Sequence, residues 1–276
     1  MKNQQIMAGY FRTWRDKAAD PSVNAITFSD LPDNLDIALV FPWDTPLESP
    51  FWEALKTVYV PVLHAVGTKV VITQGIETLL DKKYPNTPEG YEAYADMIMN
   101  TYIIPFNLDG LDIDYERSLS KDEFEKTVGI FSCLAMRLGP LSGTEKLLIL
   151  DTNRDGHDPL FQSLAPMIDY LFLQAYGRSP SSLTGTYHTF KDVIPASKFV
   201  PGFSFYEENG ARWNDISDDR ISGRAYEYAD WQPDNGEIKG GLFSYAIDRD
   251  IPEKTDQIIA ADFFVTRQLI ARMNPV

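Results

Sequence analysis

The chain has 276 residues but only one cysteine, Cys133, and three histidines, His64, His157 and His188. One thiol cannot close a disulfide within the chain, and zinc sites need Cys and His ligands at short spacings that do not occur here. The histidines stand apart in sequence, and the residues around Ser204 read G-F-S-F-Y, which breaks the G-x-S-x-G elbow of serine hydrolases. No G-x-G-x-x-G follows an expected strand, so nothing calls for a dinucleotide. No apolar run approaches the length of a membrane span. The start, M-K-N-Q-Q-I, lacks the apolar stretch of a secretory leader. Basic runs are missing too: 25 Lys and Arg face 40 Asp and Glu, a formal charge of −15, which argues against nucleic acid or anionic membrane as partner.

What is present is a well-stocked core. Hydrophobic residues make up 44% and aromatics 13%, which places the chain among globular proteins and not disordered ones. Strand-like and helix-like segments alternate. Strands are expected at 6–11, 36–41, 69–74, 108–116, 147–151, 170–176, 199–205 and 241–247. Between them fall helical segments: 51–67, kinked or split at Pro61; one opening at Thr87-Pro88; one from the S-K-D-E capping box at Ser120 to about Leu138; then 158–167, 183–193 and 223–231. The longest helix is expected at 253–273. Repeated β–α units imply parallel strands with right-handed crossovers, and eight of them in ~250 residues is the size of a (β/α)₈ barrel. With no linker and no repeat, the expectation is an α/β chain in which 1–276 form a single barrel domain.

The most informative stretch is 108–116, L-D-G-L-D-I-D-Y-E. Side chains on a strand alternate faces, so Asp112, Asp114 and Glu116 point one way and Leu111, Ile113 and Tyr115 the other. Carboxylates stacked roughly 6.6 Å apart repel one another, and the repulsion raises at least one pKa unless a proton or a cation intervenes. Three readings fit: a solvated acidic edge strand, a hard-cation site, or a carboxyl acid catalyst with ionised neighbours. The apolar flanks count against the first. Against the second, Arg117 stands where a calcium loop counted from Asp112 needs Gly.

D-G-L-D-I-D-Y-E also fits D-G-x-D-x-D-x-E throughout, and in this it resembles glycoside hydrolase family 18. The first strand, G-Y-F-R-T-W, and the last, G-G-L-F-S-Y-A-I-D-R-D, look like the bacterial endo-β-N-acetylglucosaminidases of that family. The resemblance spans nearly the whole chain and implies the same barrel. It also implies that Glu116 protonates the glycosidic oxygen and that Asp114 orients the substrate's 2-acetamido group, which attacks in place of an enzyme nucleophile. Asp112 would hold Asp114 and share its proton. Tyr176 would donate to the acetamide carbonyl, with Gln174 lining the same subsite. The family's chitinases usually read M-x-Y-D after this strand; here Gly177 replaces the Asp, and the tryptophan that chitinases place near the end of the last strand has no counterpart but Tyr245.

The expected substrate is therefore the N,N'-diacetylchitobiose core of N-linked glycans, free or on glycoprotein. The alternatives are a chitinase and a catalytically inactive lectin on the same barrel; the lectin reading is opposed by the retention of Glu116. No metal or cofactor is required. The protein is expected to act as a monomer, secreted or on a bacterial cell surface, with its leader already removed. Of the aromatics in or near expected loops (Trp43, Trp213, Trp231, Tyr206, Tyr187), Trp43 and Tyr206 follow strand ends directly and are the expected sugar platforms. Tyr10 and Tyr245 are expected to bind substrate. The stretch 151–162 begins like a calcium loop, D-T-N-R-D-G, but ends on Gln162 with Pro159 inside. It reads instead as a βα loop placing Asp151 and Asn153 at the rim.

Overall fold

The computed structural model describes residues 4–210 and 213–275. Eight strands, β1 (Ile6–Arg12), β2 (Ile37–Phe41), β3 (Lys69–Gly75), β4 (Gly110–Tyr115), β5 (Leu147–Thr152), β6 (Tyr170–Gln174), β7 (Phe199–Ser204) and β8 (Gly241–Tyr245), close in sequence order into a barrel. Every neighbouring pair is parallel, including β8 to β1. The expected (β/α)₈ barrel is thus observed.

Period-two alternation divides the core in two. Leu111, Ile113 and Tyr115 face outward into the layer between strands and helices, as do Leu148, Leu150, Leu171 and Leu173. The alternate residues Ile37, Leu39, Ile149, Phe172, Val200 and Phe243 fill the barrel interior, where the rings of Phe172 and Phe243 stack at 4.9 Å. Gly110 sits where β4 meets β5; a Cβ there would come within 2.4 Å of the Leu147 carbonyl oxygen. Beside it Asp109 accepts the Val70 N–H at 2.7 Å and faces His64 Nε2 at 2.7 Å, so His64 is not isolated. His188 likewise faces Asp234 at 2.9 Å.

The helical segments follow their local signals with two departures. Of the two outcomes expected at Pro61, the segment is split: Pro50–Ala54 passes through a wide turn at Leu55–Tyr59 into Val60–Ala65, at whose start Pro61 has no amide to donate. The capping box is present as expected, with Ser120 and Glu123 each accepting the other's backbone N–H ahead of Lys121–Ala135. A short helix at Ile76–Leu80 was not expected. The expected helix at 253–273 is confined to Phe264–Met273, so Lys121–Ala135 is longer.

Candidate active site

Catalytic groups in a barrel of this type belong at the C-terminal mouth of the strands, and the β4 acids climb towards it. Asp112 is fully buried, level with Thr73 of β3; Asp114 is level with Gly75 and, across β5, with Asp151. The strand ends at Tyr115, so Glu116 is the first residue beyond it and not the last within it. Leaving the ladder there frees the Glu116 carboxyl to reach the mouth.

Each acid has its own donors. Asp112 Oδ2 accepts from Tyr10 Oη at 2.8 Å and Thr73 Oγ1 at 3.0 Å. Asp114 stands beside Glu116, whose charge acts on it. The Gln174 Nε2 reaches three carboxyls at once: Asp114 Oδ1 at 3.1 Å, Glu116 Oε1 at 3.0 Å and Asp151 Oδ2 at 2.9 Å. Asn153 Nδ2 donates to Glu116 Oε2 at 3.2 Å. Four carboxyl groups therefore meet at one place, Asp112 and Asp151 buried, Asp114 half-buried and Glu116 exposed, and burial disfavours the charged forms of Asp112, Asp114 and Asp151. It pushes Asp112 above the ordinary carboxylate range, against the pull of Tyr10 and Thr73. Asp114 is raised by burial and then by the charges of Glu116 and Asp112. Asp151 is raised by burial and then by Asp114 and Asp112. Tyr10 and Tyr176 are also pushed up, chiefly by burial, and so keep their hydroxyl protons at neutral pH.

Two cavities meet at this ladder. The central one, about 190 Å³, lies over Tyr10, Asp114, Glu116, Asp151, Gln174, Tyr176 and Tyr245. The second, about 580 Å³, shares Phe41, Asp114 and Glu116 with it and extends past Trp43, Trp52, Gln74, Glu77, Tyr102 and Arg117. Trp43 is 63% exposed and stacks on Phe41, ring centroids 5.8 Å apart. Tyr176 lies beyond the end of β6 and touches Tyr245, centroids 6.1 Å apart.

Ten of the eleven expected site residues come together; Tyr206 does not. Its hydroxyl donates to Asp256 at 2.8 Å and Lys254 lies over its ring, on a side of the molecule that lines neither cavity. Trp213 instead stands at the rim of the central cavity. It can do so because Gly177, with φ +67°, carries no Cβ; one added there would meet the indole at 2.5 Å. Trp231 and Tyr187 are packing residues against Phe199.

Glu207 was missed altogether, though it lines the central cavity. It is aimed there by Arg12, whose buried guanidinium reaches Glu207 at 3.2 Å, Glu208 at 2.8 Å and Asp248 at 2.6 Å. Burial opposes the Arg12 charge, and Asp248 and Glu208 more than offset it. The available signal was the Y-E-E run directly after a barrel strand. The acids of 151–162 diverge: Asp151 turns into the barrel, while Asp158 caps Pro159–Leu164 and pairs with Arg154. Among the described residues no group of three or more His, Cys, Asp or Glu is arranged to hold a metal ion.

A closed parallel barrel with a stacked carboxyl ladder at its mouth and aromatic walls defines a carboxyl-acid glycosidase. Comparison with known proteins narrows the class. Residues 9–244 match the family described as the endo-β-N-acetylglucosaminidase EndoS TIM-barrel domain. The chain is 45% identical over 280 residues to endo-β-N-acetylglucosaminidase F2 of Elizabethkingia meningoseptica, covering 99% of this chain and 83% of that protein. It is 35% identical to EndoS of Streptococcus pyogenes serotype M1, but spans only 33% of that longer protein. The crystal structure of an endo-β-N-acetylglucosaminidase from Cordyceps militaris in apo form superposes with a TM-score of 0.94 at 49% identity, covering 99% of this chain and 92% of that one. That enzyme was also solved, as a variant with Asp→Asn and Glu→Gln two positions apart, in complex with fucosyl-N-acetylglucosamine-Asn. The chain belongs to the endo-β-N-acetylglucosaminidase branch of glycoside hydrolase family 18, and it is a glycoside hydrolase.

Proposed function

We propose that the protein hydrolyses the β-1,4 bond between the two core N-acetylglucosamines of Asn-linked glycans, with retention, using the substrate's own acetamide as nucleophile. The observation that carries this reading is the Gln174 amide, which ties Asp114 and Glu116 together beneath a cavity closed by Tyr176. Glu116 is the acid that protonates the leaving oxygen. Asp114 orients the acetamide N–H and stabilises the positive charge of the oxazolinium, while Tyr176 donates to the acetamide carbonyl. Asp112, held by Tyr10 and Thr73, steadies Asp114 from below.

The glycone sugar then occupies the central cavity, where Gln174, Asp151, Asn153, Tyr10 and Tyr245 surround or support it. The leaving N-acetylglucosamine must lie on the other side of Glu116, in the larger aromatic cavity under Trp43. Its size suits a fucosylated core, the group present in the Cordyceps militaris complex. The chitinase alternative is disfavoured by Trp213, which covers the place that the chitinase Asp would need.

The same reading makes the chain one catalytic domain that acts alone on glycoproteins outside the cell or at its surface, without metal or cofactor. Among the described residues no helix is long and apolar enough to cross a membrane. The test is to incubate the protein with an N-glycoprotein and with chitin oligomers and weigh the products. Peptides keeping a single N-acetylglucosamine, with or without fucose, are expected. Cleavage of chitin alone would replace this reading with the chitinase one.

A further inference from the structure

One buried acid at the site has no part in the chemistry above. Asp151 lies on β5 level with Asp114, is 3% exposed, and does not belong to the D-G-L-D-I-D-Y-E stretch. Its Oδ2 accepts the Gln174 Nε2 at 2.9 Å, and its Oδ1 has no hydrogen-bond partner among the described residues. The charged and titratable groups that face it come from three elements: Asp112, Asp114 and Glu116 from β4 and its end, Tyr176 beyond β6, and Tyr10 from β1.

The amide of Gln174 has two ends. With nitrogen towards Asp114 and Glu116 it supplies donors to both; turned over, it would aim a carbonyl oxygen at them and repel whichever is ionised. Those two carboxyls are part of what must be oriented, so they make a poor reference for the amide. Asp151 is a better one. It sits in the barrel wall, takes no part in the reaction itself, and can only reward the nitrogen-inward orientation while it accepts.

We propose that Asp151 is a positioning residue that sets the orientation of the Gln174 amide, and through it the relative placement of Asp114 and Glu116. This rests on the catalytic reading above. The role needs an acceptor at Asp151, not a negative charge. An asparagine can present its Oδ1 to the same N–H; a leucine of similar size cannot.

The experiment measures steady-state cleavage of an N-glycopeptide by wild type, Asp151→Leu, Asp151→Asn, Gln174→Met and the double variant Asp151→Leu/Gln174→Met, with circular dichroism to establish that each is folded. Asp151→Leu is expected to lower kcat about 10- to 100-fold, the range typical of residues that orient a reacting group, with KM changed less than about threefold. Asp151→Asn should recover most of the loss. The double variant should lose no more than Gln174→Met alone, because both remove one linkage. Should Asp151→Leu not fold, Asp151→Ser, too short to reach the amide, takes its place with the same expectation. A leucine variant with wild-type kcat, an asparagine variant as impaired as leucine, or losses that multiply in the double variant would each overturn the proposal. Failure of wild type to cleave the glycopeptide would instead overturn the catalytic reading, so the two failures are separable.

Discussion

The site turns on the different surroundings of carboxyls that look alike in the chain. Glu116 stands at the mouth with Asn153 and Gln174 as donors, whereas Asp114 is held below it by burial and by like charges. Glu116→Gln keeps the shape but has one acceptor oxygen in place of two, so it keeps only one of the bonds from Gln174 and Asn153, and it cannot give a proton. We expect kcat to fall by at least ~10²–10⁴, the usual worth of general acid catalysis, with the unfolding transition unchanged in a thermal melt. Asp114→Asn should slow oxazolinium formation strongly, yet still accept a preformed sugar oxazoline as donor, because that compound enters after the impaired step. Product analysis should then show transglycosylation with little hydrolysis. A covalent glycosyl ester trapped in wild type, with no use of the oxazoline by the variant, would mean that Asp114 is itself the nucleophile.

Among the elements, the final helix shows tertiary contacts overriding local pattern. Apolar residues recur from 253 onward, but the chain from Asp262 to Thr266 winds around Asp250. The Asp250 carbonyl accepts the N–H groups of Asp262 and Phe263, and its buried carboxylate accepts those of Val265 and Thr266 while pairing with Arg220. Phe263 takes φ +52° to make this turn, and the helix starts only after it. The preceding segment is pinned elsewhere: Arg249 donates to the carbonyls of Thr255 and Gln257, and Asp256 accepts from Tyr206 and Asn209. Helical backbone could not offer those groups. Asp250→Ala would leave the helix start uncapped and Arg220 short of a partner. We expect a loss of roughly 3 kcal/mol, read as a lowered midpoint in urea with the slope unchanged.

For the whole molecule, the carboxyl cluster makes stability depend on pH. The folded pKa values of Asp112, Asp114 and Asp151 are raised above their unfolded ones, so the folded state binds more protons over the interval between. Their contribution is fully present below the ordinary carboxylate range and is lost as pH rises through the raised values. The formal charge of −15 works in the same direction, since self-repulsion grows as acids ionise. Thermal melts from pH 5 to 8 should therefore show a falling midpoint, and Asp112→Asn should fall less steeply. Parallel slopes for the two proteins would show that the cluster is not the source.

The barrel and the identity of the ladder were legible in the chain because both rest on local rules. Alternation on a strand places 111, 113 and 115 opposite 112 and 114 whatever surrounds them, and repeated β–α units leave few topologies. Caps such as Ser120 with Glu123 are equally local. What the chain could not show is which loop residues turn inward. Tyr206 and Glu207 are adjacent, yet one is drawn away by Asp256 and the other aimed into the cavity by Arg12, a partner 195 positions away. Trp213 reaches the central cavity only because Gly177 leaves room for it. The Gln174 amide likewise acquires its function from three carboxyls on two other strands or their ends. Periodicity and capping act over a few residues of chain, whereas orientation at the mouth depends on charges and volumes that meet only when the barrel closes.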